Sequence, residues 1–332
     1  MKAVMVREFG PFDQAEYVET PDPEPGPDQV LVAIKAAEVN FPDLMVMEGS
    51  YQFRPPLPFS PGKGAAGVIE AVGSDVNWYR PGEKVTVQVE YGAYAEKLAV
   101  SASCCYSIPE RMPFETAAAL GLVYQTSHFA IVDRARLAAG ESVLVLGASG
   151  GVGFAAVQLA KALGAGVVIA GAVGVENQRI ATLAGADCTI DLSMHGLRDG
   201  LRDAVWAITG GRGVDVVIDP VGGVVTDAAL RAMAWRGRLI LIGFASGDVP
   251  LLKANYLLVK NISVSGLQWS DYRERDPGWV ARVQEEIFDL YGKGLLKPLV
   301  SRILPLERYA TALSLLRDGK AQGKIILSVG DG

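Results

Sequence analysis

Alternation of apolar and polar positions marks the first third of the chain. Val30-Leu31-Val32-Ala33-Ile34-Lys35-Ala36 predicts a strand, and 68–72, 84–89 and 95–100 predict others. The segments PDPEPGPDQ and FRPPLPFSPG between them read as loops. The pattern then changes. Residues 114–134 carry apolar positions at helical spacing. From Ser142 onward, continuous apolar runs at 143–146, 167–170, 214–219 and 238–243 alternate with helical stretches at 151–163 and through Ala184. Uninterrupted apolar strands separated by helices predict a parallel sheet covered on both faces. The tail predicts helices over 280–291 and 306–317 and a last strand at 324–329. The fold class is therefore α/β: a doubly wound parallel sheet, residues 124–266, inserted in a mainly β domain made of 1–123 and 267–332. Residues 257–269, LLVKNISVSGLQW, read as strand-like at the end of the insert, and Trp235 as helical.

The strongest chemical motif is VLVLGASGGVGFAAVQLAKALGA, residues 143–165. It runs strand, glycine turn, helix, the order a dinucleotide site requires. Ala148, Gly150 and Gly153 fit A-x-G-x-x-G, with Gly147 and Gly151 as further glycines. Free N–H groups at the helix start, together with its dipole, suit a pyrophosphate. The end of the next strand, AGAVGVENQR from Ala170, has no Asp or Glu for the adenosine ribose. Gly171 lies at this strand end, and Arg179 is the nearest cation. The missing acid leans toward NADP(H) over NAD(H). Arg179 reads equally as a phosphate binder or a solvated helix residue.

Composition narrows the class. The 332 residues suggest two domains, and a formal net charge of −6 without a basic run argues against nucleic acid or an anionic membrane as main partner. No apolar stretch is long enough to span a bilayer, and the N-terminus lacks a secretory h-region. Three cysteines make neither a disulfide framework nor a four-cysteine zinc site, and read as packing in a cytoplasmic protein.

The stretches EVNFPDLMVMEGSY, PPLPFSPGKGAAGVIEAVG, YGAYAEK, VYQTSHF, LGASGGVG, GGRGVDVVIDPVGG, LILIGFASG and QGKIIL together resemble a medium-chain dehydrogenase/reductase, in the zinc-free quinone oxidoreductase (zeta-crystallin-like) branch. The resemblance spans essentially the whole chain. It implies a Rossmann-type insert in a GroES-like catalytic domain, and a homodimer formed through the edge strand of the insert. Zinc enzymes of the superfamily carry Cys where this chain has Val39-Asn40 and His-Glu where it has Lys63-Gly64, so no zinc is expected. A quinone accepts hydride without a Lewis acid, because its charge spreads over a conjugated system that a few donors can stabilise. The resemblance places Asn40, Tyr51 and Thr126 at the nicotinamide and substrate cleft. It places Ser149, Gly150, Gly151 and Val152 at the pyrophosphate, and Val221, Phe244, Ala245 and Ser246 beside the nicotinamide. Lys324 falls in a segment that closes over the cofactor; a strand-edge lysine is the other reading.

The chain departs from the branch at several positions. Met45 replaces a frequent tyrosine. Gly64 replaces the usual acid of the P-G-x-E segment, which predicts a wider or softer wall. Val173, Asn177 and Leu192 replace the Ser, Lys and Tyr that grip the 2′-phosphate of NADP. The expected activity is NAD(P)H-dependent reduction of a quinone. One alternative is reduction of an enone or enoyl thioester, which needs a placed proton donor. Another, of a different class, is a non-enzymatic dinucleotide- or RNA-binding protein.

Overall fold

The computed structural model describes residues 1–330. They fall into two compact units. The first comprises Met1–Leu122, Tyr272–Phe288 and the described part of Pro298–Gly332; the second comprises Val123–Asp271 and Asp289–Lys297.

In the first unit β1 (Lys2–Met5) and β2 (Glu16–Glu19) form an antiparallel pair. The spine is β3 (Gln29–Glu38), followed directly by α1 (Phe41–Glu48). Then come β4 (Gly64–Val72), β5 (Lys84–Gln88), β6 (Lys97–Ser101), β7 (Cys105–Ser107) and α2 (Phe114–Ala119). Along β3 the alternate residues Val30, Val32, Ile34 and Ala36 are buried, as the period-2 pattern requires. Glu38, two residues further, is also fully buried. The expected helix over 114–134 is interrupted. After α2 the chain passes Gly121, starts α3 (Leu122–Phe129) and ends in a π-helical turn at Ala130–Arg134. Gly121, between the two helices, is required for space: a Cβ there would lie 2.0 Å from Gln88 Nε2 and 3.0 Å from Glu38 Oε1.

The second unit contains β8 (Ser142–Leu146), α4 (Gly151–Ala162), β9 (Val167–Ala172), α5 (Gly174–Leu183) and β10 (Cys188–Asp191). It continues with α6 (Leu197–Thr209), β11 (Val214–Asp219), α7 (Gly223–Ala232), β12 (Met233–Leu241), α8 (Ala254–Lys260) and β13 (Ser263–Gly266). Every strand pair in this sheet is parallel, in the order β10-β9-β8-β11-β12-β13. That is the doubly wound order 3-2-1-4-5-6, with its switch point between β8 and β11. Residues 143–146 of β8 have no exposure at all, each such aliphatic side chain contributing about 1.5–3 kcal/mol.

Two expectations are corrected here. Trp235 lies on strand β12, 68 % exposed, not on a helix. The run 257–269 is not one strand: 254–260 forms α8, Asn261 caps it in the left-handed region (φ 53°), and only Ser263–Gly266 pairs as β13. A short apolar run carries no period that separates helix from strand, whereas Asn tolerates the left-handed cap.

The chain continues through α9 (Trp269–Arg275) and α10 (Pro277–Gly292), then β14 (Val300–Pro305), α11 (Tyr309–Arg317) and β15 (Lys324–Ser328). The last strand returns to the first unit, pairing antiparallel with β3 (Ile326 opposite Glu38), so the main sheet reads β14-β15-β3-β4-β5-β7 with β6 also on β3. This pairing brings Lys324, 286 residues away in sequence, to the end of β3.

Candidate active site

In the second unit the glycine turn follows the buried strand β8. Ser149, Gly150, Gly151 and Val152 are half-exposed, while Ala148 and Gly153 beside them are buried. A Cβ on Gly153 would lie 2.2 Å from the Gly147 carbonyl oxygen, so helix and turn touch there through backbone alone. Ala148 N–H donates to the Gly171 carbonyl, tying the turn to the end of β9 (3.1 Å). Gly150 is the N-cap of α4, whose first turn leaves N–H groups without intrahelical partners. These residues fit a dinucleotide pyrophosphate: donors, a helix N-terminus and no side chain in the way. Thr126 sits on α3, 7 % exposed, and its neighbour Ser127 donates to the Val152 carbonyl (3.0 Å).

The loops after β11 and β12 are built together. Fully buried Asp219, at the end of β11, accepts the N–H groups of Val221 (2.9 Å) and Gly222 (3.0 Å) and the Thr226 hydroxyl (2.5 Å). Ala245 N–H donates to the Pro220 carbonyl and Ser246 N–H to that of Val221. Val221 and 244–246 are thus joined in one surface at the carboxyl ends of the strands.

The end of β9 is different in character. Val173 is 56 % exposed, Asn177 donates to its carbonyl, and Leu192 is buried against Gly171. Arg179 is exposed and paired with Glu176 (2.9 Å). Asp191, the last residue of β10, adds an acid beside this edge; its Oδ1 accepts from Gly174 N–H, Ser193 N–H and Ser193 Oγ. The Ser193 bonds, with that of Gly174, hold its carboxyl below the ordinary range.

In the first unit, buried polar groups gather where β3 ends. Asn40, 4 % exposed, is the N-cap of α1, and its N–H donates to Asp43 Oδ2 (2.8 Å). Tyr94 Oη donates to the same oxygen (2.8 Å). Burial pushes Asp43 up to about 6. The Asn40 and Tyr94 bonds and the Lys63 charge oppose this, and the Glu38 charge adds to it. Lys324, 4 % exposed, donates to Asn40 Oδ1 (2.6 Å) and to the Val39 carbonyl (3.0 Å). It is therefore no solvated strand-edge lysine. Its Nζ also lies 2.8 Å from Glu38 Oε2, an ion pair without an aligned hydrogen bond. Glu38 Oε1 accepts from Gln88 Nε2 (3.1 Å) and Leu122 N–H (3.2 Å).

Lys63, 3 % exposed, pairs with Glu90, which also takes Arg273 (2.6 Å). Burial alone would raise Glu90, but the two cations hold it below the usual carboxylate range. The Lys63 ammonium lies 4.5 Å from the centre of the half-buried Tyr51 ring, a cation–π contact. The softened wall expected at Gly64 is not there. A Cβ at 64 would lie 2.3 Å from Glu38 Oε1 and 2.7 Å from Gln88 Nε2, so the space is filled from β3 and β5. Among the described residues, no three His, Cys, Asp or Glu converge to hold a metal ion. An ammonium at 63 and a glycine at 64 bring no ligand.

Reasoning from sequence had not singled out Glu38, Asp43, Gln88, Glu90 or Tyr94. One signal was available: Glu38 continues the buried period-2 face of β3, where a charge needs a partner.

The comparisons agree along the chain. Residues 26–110 match the family model for the alcohol dehydrogenase GroES-like domain, and 151–285 that for zinc-binding dehydrogenase. The chain is 35 % identical over 304 residues to Quinone oxidoreductase-like protein 2 of Mus musculus, covering 92 % of this chain and 86 % of the other. It is 33 % identical to Quinone oxidoreductase of Homo sapiens, covering 98 % and 97 %. The crystal structure of Escherichia coli quinone oxidoreductase complexed with NADPH superposes with a TM-score of 0.91 at 28 % identity, covering 99 % and 100 %.

Proposed function

Because the chain belongs to the medium-chain dehydrogenase/reductase superfamily, in its quinone oxidoreductase branch, we propose that it reduces a quinone with NADPH. The quinone takes up hydride and one proton and leaves as the hydroquinone. The observation that carries the reading is the pairing of a dinucleotide turn with Val39, Lys63 and Gly64 at the positions where zinc relatives hold their ligands. Such a chain needs an acceptor that hydrogen-bond donors alone can stabilise.

NADPH, when bound, supplies the hydride from its nicotinamide ring. The chain's own residues hold and orient. The N–H groups of Gly151 and Val152 at the α4 N-terminus receive the pyrophosphate, with Ser149 and Gly150 lining it; the Gly150 N–H itself donates to the Gly147 carbonyl. Asp219 fixes the Val221 turn, and through it 244–246, which flank the nicotinamide with Thr126. Asn40 has a side-chain Nδ2 that is buried and, among the described residues, without a partner. It is the donor for the oxygen that gains charge. Tyr51, its ring held under Lys63, orients the acceptor. Gly171, Arg179 and Lys324 complete the residues assigned to the cofactor. NADP(H) rather than NAD(H) is favoured by the missing acid at the end of β9 and by the NADPH complex of the Escherichia coli relative.

The reading includes a cytoplasmic homodimer. Strand β13 is an edge of its sheet, and Trp235, Leu258 and Val259 on neighbouring elements are 68 %, 79 % and 73 % exposed. Leu258→Asp is expected to convert a dimer to a monomer in light scattering; a wild-type monomer refutes that part.

The deciding measurement is the initial rate of NADPH and NADH oxidation with 9,10-phenanthrenequinone and with 2-cyclohexenone. Faster turnover of the quinone with NADPH is expected, and Asn40→Ala with Tyr51→Phe reduces its kcat/KM. Oxidation with the enone alone assigns alkene reduction instead. No oxidation with either refutes the enzyme reading.

A further inference from the structure

Two glycines, Gly64 and Gly121, have ordinary backbone φ, so neither is there for a left-handed turn. Both are there for space. Their absent Cβ atoms would fall 2.3 Å and 3.0 Å from Glu38 Oε1, and 2.7 Å and 2.0 Å from Gln88 Nε2. The fold thus keeps a socket for one carboxylate that is fully buried. A buried carboxylate is costly, and it is kept where its charge is used.

The use is visible in what the carboxylate touches. Glu38 holds the Lys324 ammonium at 2.8 Å. An ammonium has donors only, so the Asn40 atom it meets at 2.6 Å is Oδ1. The other end of the carboxamide, Nδ2, is left as an unspent donor in a buried position. Without the carboxylate, a lysine that is 4 % exposed loses its counter-charge, and of its bonds here only those to the Val39 carbonyl and Asn40 Oδ1 remain to hold it on the amide.

We propose that Glu38 is a positioning residue: from its socket at the end of β3 it holds Lys324 on Asn40 Oδ1 and so sets Asn40 Nδ2 as the donor to the acceptor oxygen. The inference rests on the quinone-reductase reading for the identity of that acceptor, and on geometry alone for the orientation of the amide.

The geometry also supplies a rescue. A Cβ at 64 would lie 2.3 Å from Glu38 Oε1, so a side chain there starts at the socket from β4 once the flexible end of Gln88, 2.7 Å away, shifts aside. The carboxylate oxygens of an aspartate reach about as far beyond their Cβ as Glu38 Oε1 lies from it. Glu38→Ala combined with Gly64→Asp therefore returns a carboxylate to the same place from a different strand. Glu38→Ala is expected to lower kcat for 9,10-phenanthrenequinone about tenfold or more. The double variant is expected to return to within about threefold of wild type, because position and charge are restored although the residue is not.

A second readout does not depend on turnover. The chain has five asparagines, so a spectrum of [15N]Asn-labelled protein shows few carboxamide pairs, and Asn40→Asp identifies that of Asn40. The Asn40 pair is expected to shift in Glu38→Ala and to return in the double variant. If the wild type turns over no quinone, the functional reading fails, and the spectra still decide the positioning. An unmoved Asn40 resonance in folded Glu38→Ala, or a folded double variant as slow as the single one, overturns the proposal. Should Glu38→Ala not fold, the double variant against wild type decides by the same two readouts.

Discussion

Asp43 offers the sharpest test of the buried network. It is 1 % exposed, and its Oδ2 accepts two neutral donors, the Asn40 N–H and the Tyr94 hydroxyl, while its Oδ1 has no partner among the described residues. Burial raises its pKa from 3.8 to about 6. Because the folded-state value is the higher one, folding takes up a proton between the two. Stability is therefore fullest below about 3.8, falls as pH rises, and has lost its whole increment above about 6. A difference of about two units corresponds to about 3 kcal/mol.

Asp43→Asn keeps an oxygen for both donors and removes the titration. The new amide places a donor where Oδ1 has no partner, a fixed cost that the protonated acid shares. The informative quantity is thus the pH dependence of the difference, not its value at one pH. The variant is expected to gain on the wild type by about 3 kcal/mol between pH 4 and pH 8. At roughly 2–4 °C per kcal/mol for a domain of 150–250 residues, the gain in relative Tm is about 6–12 °C. Calorimetry of both proteins at half-unit pH intervals reads it directly. A difference that is flat from pH 4 to pH 8, or that grows toward acid, refutes the reasoning.

Three further outcomes follow from other parts of the molecule. Gly153→Ala drives a Cβ to 2.2 Å from the Gly147 carbonyl oxygen, which is backbone and cannot step aside; a loss of about 1–3 kcal/mol in urea unfolding and weaker NADPH binding by calorimetric titration are expected. Asp191→Asn keeps the acceptor for Gly174 and Ser193 but removes the negative charge at the end of β10, the neighbour of β9; the kcat/KM ratio of NADPH to NADH should rise about fivefold in low salt and less in high salt. Lys63→Met breaks the buried pair with Glu90 and costs about 3 kcal/mol at pH 7. Since the Glu90 pKa is lowered in the fold, its contribution is present at neutral pH and lost in acid, so the cost of Lys63→Met shrinks as pH falls in the same unfolding assay.

Legibility in the sequence followed the range of the forces. The strand at 214–219 and the turn at 147–153 were readable because each is a local pattern: an apolar run, and glycines at fixed spacing before a helix. The departures at 173, 177 and 192 were also local, and the structure shows an exposed Val173 and a buried Leu192 there. What could not be read is what β15 brings to β3. Lys324 and Asn40 are 284 residues apart, and Arg273 and Glu90 are 183 apart. Their pairing depends on strand register and on the return of the chain, which no local period encodes. Gly64 shows the cost of local reading most directly. Taken alone it predicts a softer wall; with Glu38 and Gln88 facing it, it is the reason the wall is filled.

The same pairings separate Asp43, which burial raises, from Glu90, which its cations lower. Glu38 has Lys324, and Glu90 has both Lys63 and Arg273. Asp43 alone of these three carboxylates is bonded only to neutral donors. These six side chains hold three anions and three cations when Asp43 is ionised, and carry one surplus positive charge when it is protonated. The surplus lies with Lys63, whose charge already lowers Asp43, while that of Glu38 raises it. Asp43 is also the carboxylate next to the buried amide, since the Asn40 N–H is itself bonded to it. A metal site concentrates fixed positive charge at the reacting oxygen; on the proposed reading, what faces the acceptor here is the NH2 of one buried carboxamide. The proposed arrangement suits an acceptor which delocalises its own charge, because hydrogen-bond geometry then stands in for the field of a metal.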